Sequence, residues 1–152
     1  MEKTTDKLDA VLKSVKPENI DDYFKENAER LYSSEKPFAD FFRQCIRSKG
    51  ILRQDVFIRA DISEGYGYKI VSEEKHTRQR DLILRLCLAA RFTIDEIQRA
   101  LKLYGMSPLY SRLPRDAVLI VAINKGIYEI DEVNALLKKN DVSELKGSDA
   151  QY

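Results

Sequence analysis

Cysteine, histidine, proline and glycine are all scarce in this chain: two, one, four and six of them in 152 residues. Each shortage removes a class of explanation. Cys45 and Cys87 sit inside apolar runs, FADFFRQCI and LILRLCLAA, where a thiol serves as a small buried hydrophobe in a reducing compartment. The single histidine, His76, lies in a charged turn and supplies no base for either thiol. There is no glycine-rich phosphate loop, no metal-ligand spacing and no nucleophile with a base. No enzyme is therefore expected, and no catalytic residue, metal site or cofactor. A chain of this length buries roughly two-thirds of the surface it exposes when unfolded, so neither metal nor disulfide is needed for stability. Long apolar runs are missing too, none approaching the roughly 18 residues of a membrane span. The opening MEKTTDKLDAVLKSV is charged and amphipathic without a signal-peptide core, which predicts a cytoplasmic protein with no membrane partner.

An excess of one charge is also lacking. The formal net charge is +1, far from the strongly basic domains that hold nucleic acid by charge alone. The distribution is less even: −3 over residues 1–42, +5 over 43–91 and −1 over 92–152. What the chain does contain is helical periodicity, in one domain with appendages. Leu8, Val11, Leu12 and Val15 form one apolar stripe on a helix from Thr5 to Val15. Pro17 starts a helix that runs to about Leu31, with Ile20, Tyr23, Phe24, Ala28 and Leu31 on one side. A helix over Phe38 to Ser48 presents Phe38, Phe41, Phe42, Cys45 and Ile46, and Gly50 caps its end. Arg78 to Arg91 is so apolar that it reads as a central helix. Thr93 and Glu96 form a capping box for Ile94 to Tyr104. After a linker, GMSPLYSRLP, two more helices follow at Arg115 to Lys125 and about Ile130 to Asn140. Tyr104, Pro108, Leu109, Tyr110 and Leu113 are expected to pack between the last two hairpins.

Those hairpins echo one another. Arg80-Asp81, Phe92 and Ile94-Asp95-Glu96-Ile97 in the first correspond to Arg115-Asp116, Ile127 and Ile130-Asp131-Glu132-Val133 in the second. The offset is 35 residues in the first helix and 36 in the second, where Leu101 matches Leu137 and Lys102 matches Lys138. A duplicated helical hairpin, its copies side by side, is predicted.

The stretch KGILRQDVFIRADISEGYGYKIVSEEK, residues 49–75, carries the functional signal. It reads as a helix at Leu52 to Arg59, a turn at Ala60-Asp61-Ile62-Ser63 and a second helix from Ser63 to about Ser72. A short helix, a tight turn and an exposed second helix is a layout that docks side chains in a DNA major groove. Tyr66 and Tyr68 are two apart and do not share a face, so one packs inward and one points out. Lys69, Lys75, Arg78 and Arg80 cluster after them, in positions suited to phosphate contacts.

With its "KGI" entry, "ISE" turn and long apolar fourth helix followed by a capped fifth, the segment from Phe38 to about Leu103 resembles the lambda-repressor-like (XRE) helix-turn-helix family. The resemblance implies five helices at 38–48, 52–59, 63–72, 78–91 and 94–104, the third reading DNA. The family's phosphate-binding glutamine corresponds to Arg53, with Gln54 next to it. Phe57 stands where the family has a small residue, which predicts that the second and third helices are pushed apart or meet at another angle. Gly65 and Gly67 predict a reading helix that starts late, near Tyr66, or is irregular. Glu64, Glu73 and Glu74 would face phosphates unfavourably on a DNA side.

The expectation is an all-α protein. It comprises an N-terminal helical extension (1–37), a lambda-repressor-like core (38–104), a linker (105–114), a C-terminal hairpin (115–145) and a disordered tail (146–152). The expected function is a sequence-specific DNA-binding transcriptional regulator acting as a homodimer on double-stranded DNA. Glu64 to Lys69, including Tyr66 and Tyr68, would read bases, and Arg53, Gln54, Lys69, Lys75 and Arg78 would hold phosphates. The alternative is a protein-interaction adaptor on the same scaffold.

Overall fold

The computed structural model describes residues 2–32 and 35–147, and through them the chain is all-α. The helices are α1 (Glu2–Leu12), α2 (Ile20–Glu26), α3 (Pro37–Lys49), α4 (Arg53–Ala60), α5 (Glu64–Val71), α6 (Arg80–Ala89), α7 (Ile94–Leu103), α8 (Pro114–Asn124) and α9 (Ile130–Lys139). Among the described residues no helix is long and apolar enough to cross a membrane.

Helices α3, α4, α6, α7, α8 and α9 end in the same way. Each runs into a residue of positive φ: Gly50, Asp61, Arg91, Gly105, Gly126 and Asp141. The next residue (Ile51, Ile62, Phe92, Met106, Ile127 or Val142) donates its N–H to the carbonyl five residues back, at 2.8–3.1 Å. That apolar residue then packs on the core, which is the Schellman ending with its hydrophobic contact. Three non-glycine residues accept the left-handed conformation, at about 1–2 kcal/mol each, where the following side chain gains burial. This is how a chain so poor in glycine and proline still turns so often.

Helix α6 is the centre. Leu82 to Ala89 are all buried, including Arg85, and α4, α7 and α9 pack around it. Phe38, Phe41, Phe42, Phe92 and Tyr104 form an aromatic cluster beside it, with ring centroids 4.9–6.1 Å apart. Both cysteines are free and buried. Burial pushes the Cys45 thiol up to about 12 and raises that of Cys87 as well.

The echo between the last two hairpins extends into the backbone bonding. In α6 and its turn, Ala90, Arg91 and Phe92 donate to Leu86, Leu88 and Cys87; in α8, Lys125, Gly126 and Ile127 donate to Val121, Ile123 and Ala122. The segments that follow each hairpin correspond as well. The Leu109 N–H donates to the Gln98 amide oxygen at 2.7 Å, and the Leu145 N–H to that of Asn134 at 2.8 Å. Between the copies the charges cross over. Arg80 forks onto Asp116 with both bonds at 2.9 Å, and Arg115 onto Asp81 at 2.8 and 2.9 Å. Arg80 also donates to the carbonyls of Ser107 and Pro108, and Arg115 to those of Ser143 and Glu144. The Tyr110 N–H donates to Asp116 and the Lys146 N–H to Asp81. This reciprocity is what a local two-fold relation between the hairpins produces. Burial raises the Asp81 and Asp116 carboxyls, but the arginine and backbone bonds outweigh it and hold both below the ordinary carboxylate range.

Several boundaries differ from expectation. α1 stops at Leu12 rather than Val15, where the Ser14 hydroxyl donates to the Val11 carbonyl. The single helix expected from Pro17 to Leu31 is three pieces: a 3-10 turn at Pro17–Asn19, α2, and a 3-10 turn at Ala28–Arg30. Asn27 causes the second break. It is buried, its backbone leaves the helical conformation as the C-cap of α2, and its side-chain amide and its backbone N–H both donate to the Tyr23 carbonyl. Tyr23 is therefore buried while Phe24 is half exposed. In the linker Tyr104 and Leu109 are buried, but Tyr110 and Leu113 are exposed. The tail expected to be disordered begins with Lys146, which is bonded to Asp81 and, through its carbonyl, to Arg85. Residues 148–152 lie outside the described residues.

Candidate nucleic-acid interface

Helices α4 and α5 are joined by residues 61–63, the short connection of a helix-turn-helix unit. Asp61 takes the left-handed position and Ile62 plugs the core. The bulk of Phe57 is taken up by Gly67. A β-carbon there would lie 2.5 Å from the Phe57 Cδ1, so the glycine opens the room the ring fills. Nor do the glycines delay α5, which is regular from Glu64 to Val71. Gly67, Ile70 and Val71 face inward, whereas Glu64, Gly65, Tyr68 and Lys69 are exposed.

The two tyrosines divide as their spacing demands. Tyr66 is partly buried against the core and the Lys75 ammonium sits 5.4 Å from its ring centre. Tyr68 is 41% exposed, and the Arg53 guanidinium stacks over it at 4.7 Å. That contact joins the first residue of α4 to the outer face of α5 and holds an arginine in place.

Arg53, Gln54, Glu64, Tyr68 and Lys69 line one open groove between the two helices. Glu74 and Leu52 line it too, so two cations share it with two carboxylates. Tyr66 and Lys75 form their own pair. Arg78 lines a different groove, with Arg80, Arg115 and Lys146.

The unit is braced by contacts that sequence reasoning did not foresee. Glu73, just beyond α5 and itself at positive φ, accepts the Ala39 N–H at 3.0 Å and so caps the first turn of α3. The buried Arg85 guanidinium donates to the Ala60 carbonyl at the end of α4 (3.0 Å) and to the Leu145 and Lys146 carbonyls. A lone arginine inside the apolar run LILRLCLAA was the available signal, because a buried charge must find partners. The Arg59 guanidinium donates to the Ala89 carbonyl at 3.3 Å, a second tie from α4 to the α6 end.

No family model, no curated protein and no solved structure matches this chain.

Proposed function

We propose that the chain is a DNA-binding transcriptional regulator in which α4 and α5 form a lambda-repressor-like reader. One observation carries the reading. A three-residue connection holds α4 against α5 so that the outer face of α5 is exposed beside an arginine fixed at the start of α4. In this mode Glu64, Tyr68 and Lys69 approach base edges, and Arg53 and Gln54 hold phosphates. Lys75, beside Tyr66, contributes a further backbone contact, and Arg78 contributes from the adjacent groove. One weakly basic reader per chain implies two copies on a two-fold site.

The test is anisotropy of a fluorescent duplex from the region upstream of the gene, titrated across a salt series. Binding that weakens steeply with salt supports the reading. No binding at low salt, either to this duplex or to random DNA, defeats it.

A second reading, a protein-interaction adaptor, is favoured by the content of the same groove. Glu64 and Glu74 line it, and Leu52 at its edge is 67% exposed. Repulsion of phosphates by those carboxylates predicts an absence of DNA affinity.

A further inference from the structure

The two matching hairpins build the same groove twice. At each crossed ion pair the arginine, Arg80 or Arg115, donates to a serine carbonyl, Ser107 or Ser143, and to the carbonyl that follows it. The backbone then returns an N–H to the paired aspartate, from Tyr110 to Asp116 and from Lys146 to Asp81. An open groove lies against each of these clamps. Matched positions give the two grooves opposite chemistry. Pro108, Tyr110 and Leu113 line one; at the hairpin offsets of 36 and 35 residues, Glu144, Lys146 and Arg78 line the other. Tyr110, Leu113, Lys146 and Arg78 are all exposed. The clamp forms equally well with either set, so the fold itself does not call for the two cations.

The cationic groove has a volume of about 380 Å³, and Ser143 lines it as well. Among the described residues, neither the Arg78 guanidinium nor the Lys146 ammonium forms a hydrogen bond or an ion pair. Arg80 and Arg115 differ, since each already makes four hydrogen bonds, to a carboxylate and two carbonyls. Asp81 is occupied in turn by Arg115 and the Lys146 N–H. With those pairs neutralised, Arg78 and Lys146 stand against Glu144 alone. We infer that this groove binds a phosphate group, with the Arg78 guanidinium and the Lys146 ammonium on its oxygens. A guanidinium forks onto two oxygens, and an ammonium acts as a point charge. A phosphoryl group offers three acceptor oxygens and a charge of about −1.5 to −2 at neutral pH, enough for both cations, and a carboxylate offers less of each. Glu144 opposes the anion, which makes it a sensitive position for a test. The proposed function already gives Arg78 a phosphate contact, and the inference rests on that reading only for one source of the phosphate. A nucleic-acid backbone and a small phosphorylated molecule present the same group.

The test is calorimetric titration of the full chain with inorganic pyrophosphate at fixed ionic strength. The groove variant combines Arg78→Leu with Lys146→Tyr, the residues that the sister groove carries at those positions. A control combines Lys25→Ala with Lys102→Ala and removes as much charge from exposed sites elsewhere. Saturable binding weakened roughly tenfold or more in the groove variant, and unmoved in the control, supports the site. A parent that shows no saturable binding, or a loss equal in both variants, overturns it. If the groove variant fails to fold, Glu144→Gln decides. Tighter binding by about two- to fivefold, the scale of one exposed charge contact, supports the site, and unchanged binding overturns it. Anisotropy of a fluorescent duplex with pyrophosphate as competitor then separates the sources. Displacement of the duplex, with weaker duplex binding in the groove variant, assigns the site to a nucleic-acid backbone. Pyrophosphate binding with duplex binding unmoved, or with no duplex binding at all, assigns it to a small phosphorylated molecule; the last result defeats the DNA reading and leaves the groove standing.

Discussion

The ring of Phe57 occupies the space that a β-carbon on Gly67 would need, with only 2.5 Å between that position and the Phe57 Cδ1. A large residue on α4 and the smallest on α5 thus form one packing unit at the crossing of the candidate reader. Two consequences follow for the glycines of α5, whose surroundings are opposite.

Gly67→Ala should destabilise the protein. Helix propensity favours alanine by about 1 kcal/mol, but the new methyl meets a ring only 3% exposed and unable to swing clear. Overpacking of that kind costs about 1–3 kcal/mol. Phe57→Leu combined with Gly67→Ala should recover part of the loss, and a double-mutant cycle by urea denaturation reads the coupling. Gly65→Ala, where a β-carbon meets nothing within 4 Å, should be neutral or stabilising. A Gly67→Ala variant as stable as the parent would mean that the Phe57 ring is not confined.

Arg80→Ala should cost about 3–5 kcal/mol, the usual consequence of leaving one charge of a buried pair behind, because the Asp116 side chain is 3% exposed. Each carboxylate keeps one backbone donor, the Tyr110 or the Lys146 N–H, but Arg115→Ala should cost less because Asp81 is more open, at 12%. Thermal melts of the two variants give the order. Equal losses would argue against the difference in burial as its cause.

Acid should weaken the fold through the same two carboxylates. A group whose folded pKa lies below its unfolded one binds fewer protons when folded. Its contribution is complete above the ordinary carboxylate value, about 4, and is lost as pH falls through the folded value. Asp81 and Asp116 are both shifted that way, as is Glu96 under its Lys49 and Thr93 bonds. Stability measured in urea from neutral pH down to about pH 3 should fall. Asp81→Asn and Asp116→Asn should each be less stable at neutral pH and show a flatter acid limb. An unchanged slope in both variants would locate the titrating groups elsewhere.

If α4 and α5 read DNA, Arg53→Ala and Lys75→Ala should each lower the salt slope of binding by about 1. Tyr68 permits a sharper experiment. Tyr68→Phe keeps the ring under the Arg53 guanidinium and should bind nearly as the parent does, whereas Tyr68→Ala frees that arginine and should bind more weakly. Equal affinities for the two variants would mean that the stacked pair of Arg53 and Tyr68 contributes nothing to the interface.

Much of the local architecture was legible in residue order. Thr93 and Glu96 marked the start of α7 through a capping box that is present, with both bonds formed. Apolar periodicity located α3, α6 and α9, and the spacing of Tyr66 and Tyr68 implied that only one faces out. The break at Asn27 was not legible, because it depends on burying an asparagine that bonds the Tyr23 carbonyl. The glycines of α5 misled for a related reason. Their intrinsic cost is real, but the fit of Gly67 against Phe57 outweighs it. At the candidate site, the sequence brought Arg53, Gln54, Glu64, Tyr68 and Lys69 within reach of one another, and they do line one groove. Arg78 stood beside them in the chain but lines another groove, since the turn after α5 carries it towards the α6 and α8 clamp.

Residue order by itself determined the all-α class, most helix positions and the existence of two matching hairpins. These follow from side-chain periodicity and caps that act within a turn or two of helix. Only the tertiary structure decided that Arg80 pairs with Asp116 and Arg115 with Asp81, that Arg85 finds its partners at Ala60 and Leu145, and that α6 is enclosed while Val121 on α8 stays exposed. Partners some 25 to 60 residues apart are selected by which helices pack together. That choice reflects the sum of many burial terms, and no short stretch of sequence contains it.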